Sequence, residues 1–278
     1  SPAPCAPFST PAGTTLGEGA ALFLLERAAP SGPSGVEGVH VWFRGGGLSA
    51  DGYHPTSPHP RGDGVERAVR AALGEAGLKP ADIGYVNAHG TGTQANDPAE
   101  WQGLCRVFGN GIAVSASKSF LGHAQGAAGA LEAAVTVLAM RHQVLPPTLH
   151  FVGPRPRCPA DPVADSAPRP AAYRHAVCTN SAFGGANAAA VFSLDAGFTQ
   201  GACREVWITG AGAIGPFGLD AEDLEPSSGP APTFRVRDFV RTADPRTLYR
   251  SSELLLAAVA GALRAADLQP RGSSRERT

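Results

Sequence analysis

The residues that could do chemistry in this 278-residue chain crowd into two short stretches and a turn. The first stretch, Asn87 to Glu100, reads NAHGTGTQANDPAE and sets His89 among two glycines and two threonines. On a loop of that kind the imidazole and the hydroxyls of Thr91 and Thr93 face whatever cleft the loop borders. The plain alternative is a histidine satisfied within its own loop. The second stretch, SASKSFLGHAQGAAGALE, puts Lys118 five residues before His123 and Glu132 nine after it. Its small residues permit close helix approach, so His123 is expected buried at a helix start, where the positive dipole end favours neutral imidazole. The turn, TNSAFGGAN, pivots on Gly184 and Gly185 and displays Phe183.

These residues need elements to hold them. Leu16 to Glu26 is predicted as a buried strand, and Gly35 to Ser49 as a strand through VHVWF that ends in three glycines. A polar loop from Asp51 to Gly64 precedes a helix over Val65–Gly77, whose apolar residues recur at helical spacing. Ile83–Asn87 is a short strand that delivers His89. Asp97 then caps a helix with Pro98 at its first position. Ile112–Ser115 is a strand, Ala124–Arg141 a small-residue helix, and Arg155–Pro170 a Pro-rich surface loop. Tyr173–Thr179 and Ala186–Phe192 complete a strand pair. Strands alternating with helices predict an α/β layered domain over residues 1–193. Residues 194–203 read as a linker. Residues 204–278 hold a strand at Val206–Thr209, a helix at Arg250–Ala266 and a polar tail, too thin for an independent core.

Composition narrows the function. Hydrophobic residues make up 43% of the chain, enough for a sizeable core. A net charge of −1 removes the electrostatic case for nucleic acid. No apolar run is long enough to span a membrane, and no signal peptide is visible, so a cytoplasmic protein is expected. Five cysteines without a C-x-x-C pair read as thiols of a reducing compartment, and no metal ligand set is expected. Ser1 at the start and Met140 as the sole methionine suggest a piece of something longer.

Taken in order, LGEGA, LSADGYH, YVNAHGTGT with Asp97 and Glu100, KSFLGHAQGAAGALE and PPT resemble the C-terminal half of a β-ketoacyl-acyl-carrier-protein synthase, a condensing enzyme of the thiolase fold. The resemblance runs from about Phe8 to Phe192. It implies decarboxylative Claisen condensation of an acyl thioester with malonyl on an acyl carrier protein, in fatty-acid or polyketide synthesis. By the same resemblance His89 and His123 flank the nucleophile and donate N–H groups to the malonyl thioester oxygen. Thr91 and Thr93 hold the phosphopantetheine arm of the carrier, and the enzyme itself takes no cofactor. Lys118 and Glu132 form a buried ion pair beside the histidines, with Glu100 and Asp97 as structural support; for these charged residues a structural role is expected over direct proton transfer. Phe183 is the gate before Gly184, its N–H helping to form an oxyanion hole. A dimer with a ketosynthase or ketosynthase-like subunit is implied.

Two departures stand out. The family's nucleophilic cysteine starts a buried helix upstream of LGEGA and has no counterpart here; Cys5, Cys105 and Cys178 read as inert thiols. The nucleophile is therefore expected outside this chain, which would be inactive alone. The gate reads NSAFGGAN, one residue shorter than the family's NSFGFGGTN. A non-catalytic partner resembling a chain-length factor is the alternative reading, which the retention of both histidine blocks disfavours.

The last third resembles the opening of a second synthase, through REVWITGAGAIGPFG and the helix YRSSELLLAAVAGALRAADL. Gly210-Ala211-Gly212-Ala213-Ile214-Gly215 also fits a dinucleotide fingerprint. Pro216 and Gly218 follow where that fingerprint's helix must propagate, so a nucleotide role is set aside.

Overall fold

The computed structural model describes residues 4–23, 40–196, 233–241, 244, 246 and 248–265. The chain divides into two compact units, Ser1–Gly201 and Ala202–Thr278.

The first unit is built on a five-stranded mixed sheet. In chain order its elements are β1 (Trp42–Ala50), α1 (Asp63–Ala76), β2 (Tyr85–Asn87), α2 (Asn96–Phe108), β3 (Ala113–Ser115), the one-turn α3 (Lys118–Leu121), α4 (Ala128–His142), the short β4 (Val144–Leu145) and β5 (Arg169–Pro170), β6 (His175–Ala182) and β7 (Ala186–Ser193). Strand order across the sheet is β1-β7-β6-β2-β3. The β1-β7 and β7-β6 pairs are antiparallel, while β6-β2 and β2-β3 are parallel. β4 and β5 form a separate antiparallel pair.

Side chains alternate across this sheet with the period of two that a pleat imposes. Val86, Val114, Val177 and Val191 join one core with Val65, Val69, Leu73 and Leu104 from α1 and α2. Tyr85, Ala176, Cys178 and Phe192 join the other, with Met140 from α4. Helices thus cover both faces, as the α/β layered expectation has it.

Several elements differ from expectation. The three glycines lie inside β1 rather than at its end. They belong there because α1 crosses directly above: a Cβ on Gly45 would sit 2.5 Å from the Ala72 carbonyl, and one on Gly47 2.0 Å from that of Ala68. The expected strand at Leu16–Glu26 is not one over its described part. Leu16 makes a single bridge to His123, and Leu22 is 93% exposed. Gly17 lies close against the turn after α3, its Cβ position filled by the Leu121 carbonyl at 2.1 Å. The segment is a bare strap laid on Gly122. Residues 24–26 of that expectation lie outside the described residues.

Asp97 does not cap α2. The helix starts at Asn96, whose N–H donates to the Thr93 hydroxyl at 3.2 Å. The Asp97 carboxylate is drawn instead to backbone donors on neighbouring loops. Arg155, expected on a surface loop, is buried.

In the second unit a short turn at Val236–Asp238 precedes α5 (Arg250–Ala265). Phe234 and Phe239 meet edge to face at 5.3 Å, and the guanidinium groups of Arg250 and Arg264 lie over them. The strand and glycine-rich loop expected at Val206–Gly215 lie outside the described residues.

Candidate active site

The parallel strands β2, β3 and β6 share one carboxyl end, where open α/β sheets tend to place their sites. His89 follows β2 by two residues and Lys118 follows β3 by three, while Thr179 and Asn180 lie along β6. Glu132 reaches the same point from the second turn of α4. This placement, more than sequence proximity, brings His89, His123, Lys118, Glu132 and Glu100 together.

Lys118 and Glu132 are each 1% exposed and ion-paired. An ammonium has three protons. Lys118 gives one to Glu132 Oε1, one to the His89 carbonyl at 2.5 Å and one to His89 Nδ1 at 3.0 Å. Its inventory is complete. The second Glu132 oxygen accepts from Asn180 Nδ2 at 2.7 Å. Burial still pushes the Glu132 carboxyl up, to about 7, against the pull of Lys118.

Donation by an ammonium makes His89 Nδ1 an acceptor, so the neutral ring carries its proton on Nε2. Burial, then the Lys118 charge, then His123 hold the His89 pKa well below its ordinary value. His123 reaches the same tautomer by another route. The Gln125 N–H donates to its Nδ1 at 3.2 Å. Its pKa is also lowered, by burial first and then by Lys118. The helix-dipole expectation is corrected here: His123 is half-buried and lies five residues ahead of α4. The two rings are perpendicular, with centroids 5.4 Å apart. The pair is two neutral imidazoles, each with an Nε2–H donor.

The loop between them and α2 is held through its backbone. Glu100 is buried and accepts from the N–H groups of His89 at 2.8 Å and Gly90 at 2.9 Å. It also accepts from Thr179 Oγ1 and Asn96 Nδ2. Asp97 accepts from Gly92 N–H at 3.1 Å and Phe8 N–H at 2.7 Å, and pairs with Arg155. Thr91 and Thr93 join hydroxyls at 2.8 Å. One of the pair's two hydroxyl protons is spent in that bond, which leaves the other for a ligand.

Phe183 and Gly184 lie on the β6–β7 turn, with the Phe183 ring 78% exposed. Gly184 has φ +84° and donates its N–H to the Pro55 carbonyl at 2.6 Å, which engages that donor with the loop between β1 and α1. Asp51 braces the same turn, donating its N–H to the Gly185 carbonyl and accepting from Asn187 Nδ2.

Sequence reasoning missed Arg155, Asn87, Thr179 and Asp51. Asn87 and Thr179 carry a signal in retrospect, as polar residues inside otherwise apolar strands. Arg155 carries none. The described cysteines are poor nucleophiles: burial raises Cys5 and Cys178 and pushes Cys105 up to about 11 and Cys158 to about 12. Among the described residues no cluster of His, Cys, Asp and Glu could hold a metal ion, and no helix is long and apolar enough to cross a membrane.

Residues 41–152 match the model for the beta-ketoacyl synthase, C-terminal domain. The 3-oxoacyl-[acyl-carrier-protein] synthase 2 of Mycobacterium tuberculosis is 43% identical over 190 residues, 68% of this chain and 45% of that protein. The chain thus spans about half the length of the curated relatives it matches. Among solved structures, the ishigamide ketosynthase/chain length factor aligns with a TM-score of 0.52 at 39% identity, over 55% of this chain and 38% of that one. A type II polyketide ketosynthase in complex with its acyl-carrier protein and bound to a hexaketide aligns with a TM-score of 0.52 at 27% identity, over 54% of this chain and 38% of its own. With the motif order and layered sheet already in hand, these likenesses establish that residues 41–152 form a beta-ketoacyl synthase C-terminal domain, on a thiolase-like α/β fold.

Proposed function

We propose that this chain supplies the decarboxylating half of a β-ketoacyl-acyl-carrier-protein synthase. The observation that carries the reading is the tautomer pair: Nδ1 of each imidazole accepts a hydrogen bond, so both rings offer Nε2–H. Two such donors suit an oxygen on which negative charge develops. In the proposed reaction an acyl group rides as a thioester on a cysteine supplied from outside the described residues. Malonyl on the carrier arm loses carbon dioxide, and the electron pair of the broken C–C bond passes into the thioester as an enolate. His89 and His123 stabilise its oxygen. The enolate carbon attacks the acyl carbonyl, and the cysteine thiolate leaves.

Lys118 keeps His89 in the donating tautomer, and Glu132 neutralises Lys118. Thr91 and Thr93 receive the phosphopantetheine arm, and Phe183 gates the acyl site. The partners on this reading are an acyl carrier protein, acyl and malonyl thioesters and a second ketosynthase-like subunit. The compartment is the cytoplasm, and the enzyme takes no cofactor of its own. Residues 204–278 would open a second synthase-like unit in the same polypeptide.

The test joins residues 1–193 to the N-terminal portion of the M. tuberculosis synthase. The chimera should release carbon dioxide from malonyl-carrier protein and form β-ketoacyl product. His123→Ala and His89→Ala should each slow carbon dioxide release by about 10²–10³. Radiolabelled acyl transfer to the cysteine should persist in both. Blocked acylation with normal carbon dioxide release would reverse the assigned roles. A folded, acylated chimera that never decarboxylates would favour a non-catalytic, chain-length-factor-like subunit.

A further inference from the structure

Gly92 is gripped on both sides of its backbone. Its N–H donates to Asp97 Oδ1 at 3.1 Å, and its carbonyl accepts from Gly13 N–H at 3.0 Å and Arg155 Nη1 at 3.3 Å. Its φ of +77° and the Gly13 carbonyl, 1.9 Å from where a Cβ would stand, admit only glycine. Arg155 closes the arrangement by pairing with Asp97 Oδ2 while its own N–H donates to the Phe8 carbonyl at 3.0 Å. Asp97 is fully buried and Arg155 is 92% buried by its 8% exposure. The Arg155 Nε is buried without a partner. Leaving that donor unpaired is costly, so the position of the guanidinium is dictated by Asp97 and Gly92.

We propose that Arg155 and Asp97 are positioning residues, a buried latch that fixes the Gly92 peptide and so aims the flanking Thr91 and Thr93 hydroxyls at the carrier arm. The proposal rests on the ketosynthase reading for the identity of that arm, but the latch itself does not. Three chain segments meet in it: the N-terminal segment through Phe8 and Gly13, the start of α2 through Asp97, and the stretch after β4 through Arg155. Gly92 lies between the two threonines, so rotation of its peptide would turn both hydroxyls. Burial raises the Asp97 carboxyl to about 6, opposed by the Phe8 N–H and by Arg155 and reinforced by Glu100. The thiols of Cys5 and Cys158 are the other titratable groups that sense its charge. Mild acid therefore opens the latch.

The experiment has two arms. In ¹H–¹⁵N spectra of the 278-residue chain, the Gly92 and Phe8 amides should titrate together with a midpoint near the Asp97 value of about 6. Asp97→Asn should abolish this titration, and Arg155→Met should raise its midpoint. In the chimera, Arg155→Met should raise KM for malonyl-carrier protein about five- to tenfold, as losing a hydrogen-bonded contact would, with kcat moving far less. Arg155→Lys keeps the charge but not the fork, and should fall between. Should Arg155→Met fail to fold, Arg155→Lys and the titration of the unaltered chain decide the matter. A Gly92 amide indifferent to pH and to both substitutions overturns the latch. The expected titrations with an inactive chimera would instead overturn the ketosynthase reading and leave the latch standing.

Discussion

Lys118 is the residue on which the site turns. Its ammonium is fully used, and each use has a consequence: one proton orients His89, one fixes that residue's carbonyl, one neutralises Glu132. Removing one partner of a buried pair leaves an uncompensated charge, so Lys118→Met should destabilise the first unit by about 3–5 kcal/mol in urea titrations. Lys118→Met with Glu132→Gln should recover more than half of that loss, because Gln keeps an acceptor for Asn180 without the charge. Equal losses in the single and double variants would contradict the pair. The histidines make a pH prediction of definite sign. A histidine whose folded pKa is depressed contributes stability above its unfolded value of about 6.5 and loses it as pH falls below that value. Unaltered chain should therefore lose stability faster than His89→Asn below pH 6.5, by up to about 1.4 kcal/mol per pH unit. Asp97 and Glu132, both raised, act with the opposite sign but are common to the two proteins and cancel in the difference. Parallel stability curves would mean that His89 is not held neutral. Much of this site was legible as motif: His89, Lys118, Glu132 and Glu100 stand in recognisable blocks. Arg155 was not, because its role comes from a loop closing over Asp97 from 58 residues away.

Elements succeed or fail here by how closely backbones approach. α1 lies so near β1 that two strand glycines are steric requirements rather than breaks. Gly47→Ala should cost about 1–3 kcal/mol, since its Cβ would stand 2.0 Å from the Ala68 carbonyl and the helix must move. Gly74, exposed inside the same helix with nothing within 4 Å of its Cβ position, should behave oppositely. Gly74→Ala should add about 0.5–1 kcal/mol. Two Gly→Ala changes with opposite sign, read by one denaturation series, test the packing directly; a stabilising Gly47→Ala would place α1 elsewhere. The same reasoning shows why the helices and short parallel strands could be read from periodicity while the glycine run inside β1 and the Leu16 strap could not. A glycine triplet reads as punctuation when seen in sequence. Its meaning depends on the helix that lands on it, and no local pattern records that landing. Apolar Leu16 and Leu22 read as core for a related reason, since periodicity registers hydrophobicity but not which partner buries it.

At the scale of the whole molecule the unexplained quantity is apolar surface. α4 carries one acid, Glu132, and that charge is turned inward. A helix apolar on nearly every side is one that a complete protein buries on every side. In the first unit α4 packs on β6, yet Leu138 remains 52% exposed, and Leu131 and Val135 are only partly covered. Leu16 at 72%, Leu22 at 93% and Phe120 at 41% add to the exposed apolar side chains. Patches of this kind drive association because burying them releases water at no cost in new polar contacts. Sedimentation velocity of the 278-residue chain should therefore show a weight-average mass that rises from micromolar to submillimolar concentration. Leu138→Lys, at a site with room for a solvated side chain, should shift that rise to higher concentration without altering the far-ultraviolet circular dichroism. Adding the N-terminal portion of the mycobacterial synthase in trans should compete with self-association if this surface is the one a full-length synthase covers. A concentration-independent monomer would mean that the exposed face of α4 is not adhesive, and that the apolar character of the helix serves something other than burial.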